Sequence, residues 1–97
     1  MSSSFEELVE SYREKLPGRI EQLKSNYLKS IEINDEELKD LAINEAHKLK
    51  GSGGIYGFAE ISEGFAKIEK LMKEDYTNQV EVAILIDEYL KIAKSLS

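Results

Sequence analysis

The sequence predicts an all-α fold: an antiparallel up-and-down four-helix bundle with an additional or kinked N-terminal helical segment before Pro17. Three observations lead there. Apolar residues recur at steps of three and four along most of the chain. Backbone breakers concentrate at the single Pro17 and in a short stretch that holds four of the six glycines, from Gly51 to Gly57. The best strand candidate, Val82 to Ile86, lies inside a helical repeat. At 97 residues the chain is expected to form a single domain, 1–97, long enough to bury a real core without a staple.

Ser4-Phe5-Glu6-Glu7 has capping-box spacing, and Phe5, Leu8, Val9, Tyr12 and Leu16 follow it with helical periodicity, so a first segment starts near Ser4. Pro17 lacks a backbone donor, which predicts a break or kink there. Beyond it Ile20, Leu23, Tyr27, Leu28 and Ile31 continue the stripe. Asn34-Asp35-Glu36-Glu37 supplies a cap and then negative charge, which opens a second helix carrying Leu38, Leu41, Ala42, Ala46 and Leu49. That helix runs into Gly51-Ser52-Gly53-Gly54, which alone reads as a helix end or loop. A third helix follows with Phe58, Ile61, Phe65, Ile68 and Met72. After Asp75-Tyr76-Thr77-Asn78 the fourth holds Val80, Ala83, Ile84, Ile86, Tyr89, Leu90, Ala93 and Leu96. Short connections place consecutive helices side by side.

Composition excludes several function classes. With no Cys there is no disulfide framework, thiolate zinc site or Cys nucleophile. The net charge of −6 repels phosphate backbones and no basic cluster with interleaved aromatics offsets it, so nucleic acid is not an expected partner. A cationic or amphiphilic protein fits better. The longest apolar run, Val82-Ala83-Ile84-Leu85-Ile86, is far too short to span a bilayer, and the N-terminus has no signal-peptide pattern. A cytoplasmic monomer with no membrane association is expected. The glycine stretch is neither a P-loop nor a dinucleotide fingerprint, so no nucleotide cofactor is expected. His47 and Glu69 lack a third metal ligand at a persuasive spacing, so no metal is expected either.

His47 is the only histidine. On a helix turning about 100° per residue, Leu38, Ala42, Glu45 and Leu49 fall opposite it, while Asp40, Ile43, Asn44, Lys50, Gly51 and Gly54 lie within about 60°. His47 therefore faces away from the core. Lys50, one turn on, sets an ammonium where a dianionic group on the imidazole would be welcome. Gly51, at i+4, leaves the backbone bare where a bulky partner must approach. Ile43 adds an apolar residue to the displayed face.

The run His47-Lys48-Leu49-Lys50-Gly51-Ser52-Gly53-Gly54-Ile55-Tyr56-Gly57 resembles the signature of histidine-containing phosphotransfer domains: an acceptor His, then Leu, Lys, Gly and Ser, and a further Gly ten residues after the His. Leu16-Pro17-Gly18-Arg19-Ile20 with Leu23 resembles the entry to that family's first bundle helix, and Ile68-Glu69 a pair in the helix after the His. Tyr56-Gly57-Phe58 is similar to the corresponding stretch of chemotaxis kinases. The likeness covers roughly residues 10 to 95; the chain departs from it at Ser52-Gly53-Gly54, where the family often has Ser then Ala.

The resemblance implies a phosphorelay intermediate in two-component signal transduction, not an enzyme with autokinase activity. His47 would accept a phosphoryl group on Nε2 from a receiver-domain phospho-aspartate and pass it to another receiver aspartate. Lys50 would screen the phosphate, Gly51 would give clearance, and Glu69 would accept a hydrogen bond from Nδ1–H. Response-regulator receivers or a hybrid sensor kinase would be the partners, with Mg²⁺ carried by the receiver and docking around Ile43, Asn44, Lys48 and Gly54. The alternative is an unphosphorylated helical adaptor that binds a signalling partner through the same face.

Overall fold

A computed structural model describes residues 4–96. Among the described residues the chain forms α1 (Ser4–Glu32), α2 (Glu36–Ile55), α3 (Ala59–Glu74) and α4 (Gln79–Leu96), with no strand. Each helix packs on its neighbours in sequence and α4 closes the ring against α1. The connections are short, which makes adjacent helices antiparallel. The molecule measures 47 × 22 × 18 Å. α1 sets that length, because 29 residues span about 43 Å at the helical rise.

The expected segment before Pro17 is present and joins the rest of α1 without a break, so the helix does not end and restart there. Pro17 removes one backbone donor, but Leu16 and Ile20 on either side are fully buried, and their packing holds the helix across it. The buried positions Tyr12, Leu16, Ile20, Leu23, Tyr27 and Ser30 advance by three or four and face the bundle. Ala42, Ala46 and Leu49 of α2, Ile61, Phe65, Ile68 and Met72 of α3, and Val82, Ile86, Tyr89 and Ala93 of α4 complete the core.

Local chemistry fixes the ends. Asn34 takes the left-handed conformation (φ 50°) that stops α1, and Asp35 Oδ1 accepts from the backbone N–H of Glu37 at 2.9 Å and Leu38 at 3.2 Å to start α2. Gly57 has φ 84° in the turn that separates α2 from α3, a conformation that favours glycine.

Several sequence expectations need correction. α2 does not end at the glycines but runs through Gly51–Gly54 to Ile55, because Gly53 is buried against α3 and the pairing of the two helices offsets the poor glycine propensity. Phe58 caps α3 from outside the helix. Leu28, Leu41, Val80 and Ile84 are exposed, whereas Val82 is fully buried. Five consecutive apolar residues from 82 to 86 surround the α4 axis, so the inward face there is decided by packing and not by local spacing.

Candidate functional site

His47 projects from the middle of α2 with its side chain 62 % exposed. Ala46 on one side and Leu49 on the other are fully buried and fix the rotation of α2 that turns His47 outward. Its Nδ1 lies 3.0 Å from Glu69 Oε2 on α3. Glu69 is almost completely buried, with a side chain only 7 % exposed. The Lys73 ammonium, one turn further along α3, lies 3.0 Å from the same oxygen, and Lys50 Nζ is 3.8 Å from Oε1.

Burial alone would push the Glu69 carboxyl up, but hydrogen bonds from Lys73 and His47, with the charges of both, outweigh it and hold the group below its ordinary value. An ionised carboxylate only accepts hydrogen bonds, so in the neutral ring it places the proton on Nδ1 and leaves the lone pair on Nε2. The arrangement thus favours one tautomer and leaves the unprotonated nitrogen on the side away from Glu69. No buried polar side-chain atom among the described residues lacks a partner.

The other residues singled out in the sequence take different places. Gly51 is exposed, and a methyl group there would touch nothing within 4 Å. Gly54 is exposed beside Ser62 Oγ, while Gly53 is the glycine that meets α3: a Cβ on it would lie 3.0 Å from the Ser62 backbone nitrogen. Asn44 is exposed, and Lys48 forms a 3.6 Å ion pair with Glu45. Ile43 is not a fully displayed apolar residue: it is half-buried and packs against the core, being next in sequence to the fully buried Ala42.

Sequence reasoning missed Lys73, although Glu69 and Lys73 have the i,i+4 order that favours an ion pair on a helix. It also missed how the end of α2 is fastened. Ser62 Oγ donates to the Lys50 carbonyl at 2.8 Å, and Ser52 Oγ donates to the Lys48 carbonyl at 2.8 Å. With its one proton committed, Ser52 accepts from Tyr12 OH at 2.8 Å, which ties α1 to the helix that carries His47. An open depression of about 500 Å³ beside the site is lined by Lys50, Ala66, Glu69, Lys70, Lys73 and Glu74.

A family model for the Hpt domain matches residues 7–93, nearly the whole chain. The chain belongs to the Hpt domain family. Comparison with curated proteins and with solved structures gives no match. Membership of the Hpt family implies a phosphorelay role in two-component signalling. Hpt domains are phosphotransfer modules without kinase activity that interact with receiver domains and kinases. No helix of the described residues is long and apolar enough to cross a membrane.

Proposed function

We propose that His47 is the phosphoacceptor of this Hpt domain, taking a phosphoryl group from a receiver phospho-aspartate and returning it to the aspartate of another receiver. The observation that carries this reading is the 3.0 Å contact between Nδ1 of an exposed imidazole and a buried, ionised Glu69. Nε2 attacks phosphorus as the bond between phosphorus and the aspartyl oxygen breaks, and that electron pair leaves with the aspartate carboxylate. The proton stays on Nδ1, so the ring becomes a phosphoryl-imidazolium whose positive charge faces Glu69. The return transfer reverses these steps.

The chain has little else to supply, because phosphoryl transfer depends on alignment and charge stabilisation, and the receiver brings Mg²⁺ and the aspartate. Lys50 screens the charge on the transferred group, and bare Gly51 lets the receiver approach. Asn44, Lys48, Gly54 and the exposed edge of Ile43 surround His47 and form the docking rim. A cytoplasmic setting suits this exchange.

Intact mass after incubation with phosphoramidate, which phosphorylates histidine without a kinase, tests the reading. One acid-labile phosphoryl group is expected on the wild type and none on His47→Gln, with unchanged helicity. Phosphate uptake by the variant, or failure of the folded wild type beside a working positive control, overturns the assignment.

A further inference from the structure

Lys73 is not part of the motif that marks the acceptor, yet it touches the same carboxylate oxygen as His47. Glu69 Oε2 receives Nδ1 from α2 and the Lys73 ammonium from α3, both at 3.0 Å, while Lys50 stands 3.8 Å from Oε1. The Glu69 side chain has three rotatable bonds, and its carboxylate is held between helices by these three groups. Among the described residues Lys73 is its only ion-pair partner from α3. The depression beside it is lined from α2 and α3 alone, where Lys70 and Glu74 are the remaining charged groups.

We propose that Lys73 is a positioning residue for phosphoryl transfer: it clamps the Glu69 carboxylate toward Nδ1 and keeps it a pure acceptor, so that His47 retains its proton on Nδ1 and its lone pair on Nε2. The proposal rests on His47 being the acceptor. A protonated Glu69 would become a donor at Oε2 and favour the opposite tautomer, in which Nε2 carries the hydrogen and cannot attack. Lys73 opposes that state directly, because its cation disfavours every protonation in the cluster. Burial of Glu69 works the other way, so the clamp matters most as pH falls.

The test compares wild type, Lys73→Met and Lys73→Arg by the rate of phosphoramidate uptake from pH 5.5 to 8, each variant expressed as a ratio to wild type at the same pH. Nitrogen NMR of the His47 ring, recorded without phosphate, reads the tautomer. Lys73→Met should be about threefold slower or more at pH 5.5 and within about twofold of wild type at pH 8, the gap widening as pH falls because Glu69 without the Lys73 cation is easier to protonate and is no longer clamped toward Nδ1. Its ring should show a mixed tautomer population, and Lys73→Arg should restore both readouts. A Lys73→Met profile and ring spectrum that superimpose on wild type overturn the proposal, as does a shift that Arg does not reverse. If wild type takes up no phosphate, the acceptor assignment fails by itself, and the ring spectra still report whether Lys73 sets the tautomer.

Discussion

Two glycines two residues apart in α2 should respond to the same added methyl group with opposite signs. A Cβ on Gly51 meets nothing within 4 Å, so Gly51→Ala gains only helix propensity, up to about 1 kcal/mol. A Cβ on Gly53 lies 3.0 Å from the Ser62 nitrogen and 3.3 Å from both Ser62 Cα and Ile61 Cγ2. The first two are backbone atoms of α3, and Ser62 N–H is already bonded to the Phe58 carbonyl at 3.0 Å, so relief requires α3 to move as a body. Overpacking of this kind costs about 1–3 kcal/mol, which exceeds or cancels the propensity gain of about 1 kcal/mol. Gly53→Ala should therefore lie about 1–3 kcal/mol below Gly51→Ala in stability. In urea, with a slope of about 1 kcal/mol/M for a domain of this size, that is a separation of about 1–3 M in midpoint. Gly51→Ala should accept phosphate from small phosphoramidate at the wild-type rate but more slowly from a receiver, because the added methyl fills the clearance proposed at residue 51. Equal stabilisation by both substitutions would refute the reasoning, because it would mean that α2 and α3 are not in limiting contact at Gly53.

Lys50→Ala should slow receiver-dependent transfer while leaving the thermal midpoint within a few degrees, since Lys50 is about half exposed and its contact with Glu69 is long at 3.8 Å. Glu69, whose folded-state carboxyl is held below the ordinary value of 4.5, contributes stability that is present above that value and lost as pH falls through the depressed one; urea titrations below pH 5 should show this acid loss shrink in Glu69→Gln. Tyr27 donates to the Tyr76 carbonyl at 2.6 Å, and burial pushes its phenol up to about 12, so its contribution is complete below pH 10 and disappears as pH rises toward about 12; Tyr27→Phe should flatten that alkaline loss. Gly64→Ala would drive a methyl to 2.3 Å from the Tyr89 ring, and it should destabilise by about 1–3 kcal/mol, with part of the loss recovered when Tyr89 is also shortened to Leu.

The helices were legible because their signals are local: apolar spacing, Asp35 as a cap, and short connections read the same way in any tertiary setting. The outward direction of His47 followed from the core positions Ala42 and Leu49 across the helix. Glu69 was reached through family resemblance, since 22 residues separate it from His47 and neither helical spacing nor charge pattern selects it among the glutamates. Its near-complete burial is a product of tertiary packing. The glycines misled for a related reason. A stretch with three glycines reads as a helix end by propensity alone, but Gly53 packs directly against the backbone of Ser62 in α3, and only the docked pair shows that its missing side chain is needed there. Gly64 against Tyr89 is the same case between α3 and α4.

The separation of His47 and Glu69 on two helices makes the site depend on the register between α2 and α3, and the fastening near their turn explains how that register is kept. Gly53 meets Ser62, the Phe58 N–H donates to the Gly53 carbonyl at 2.7 Å, and Ser62 Oγ reaches back to the Lys50 carbonyl at 2.8 Å. Measured from the Gly53–Ser62 contact, His47 lies six residues back along α2, about 9 Å, and Glu69 seven residues forward along α3, about 10 Å. Because the helices are antiparallel, those two distances run in the same direction from the clamp, and the imidazole and the carboxylate arrive nearly level. A side chain at residue 53 would widen the helix pair, and a one-residue slip would carry Glu69 about 100° around α3 and away from Nδ1. The glycine that most resembles a helix breaker thus sets the distance on which the tautomer of His47 depends.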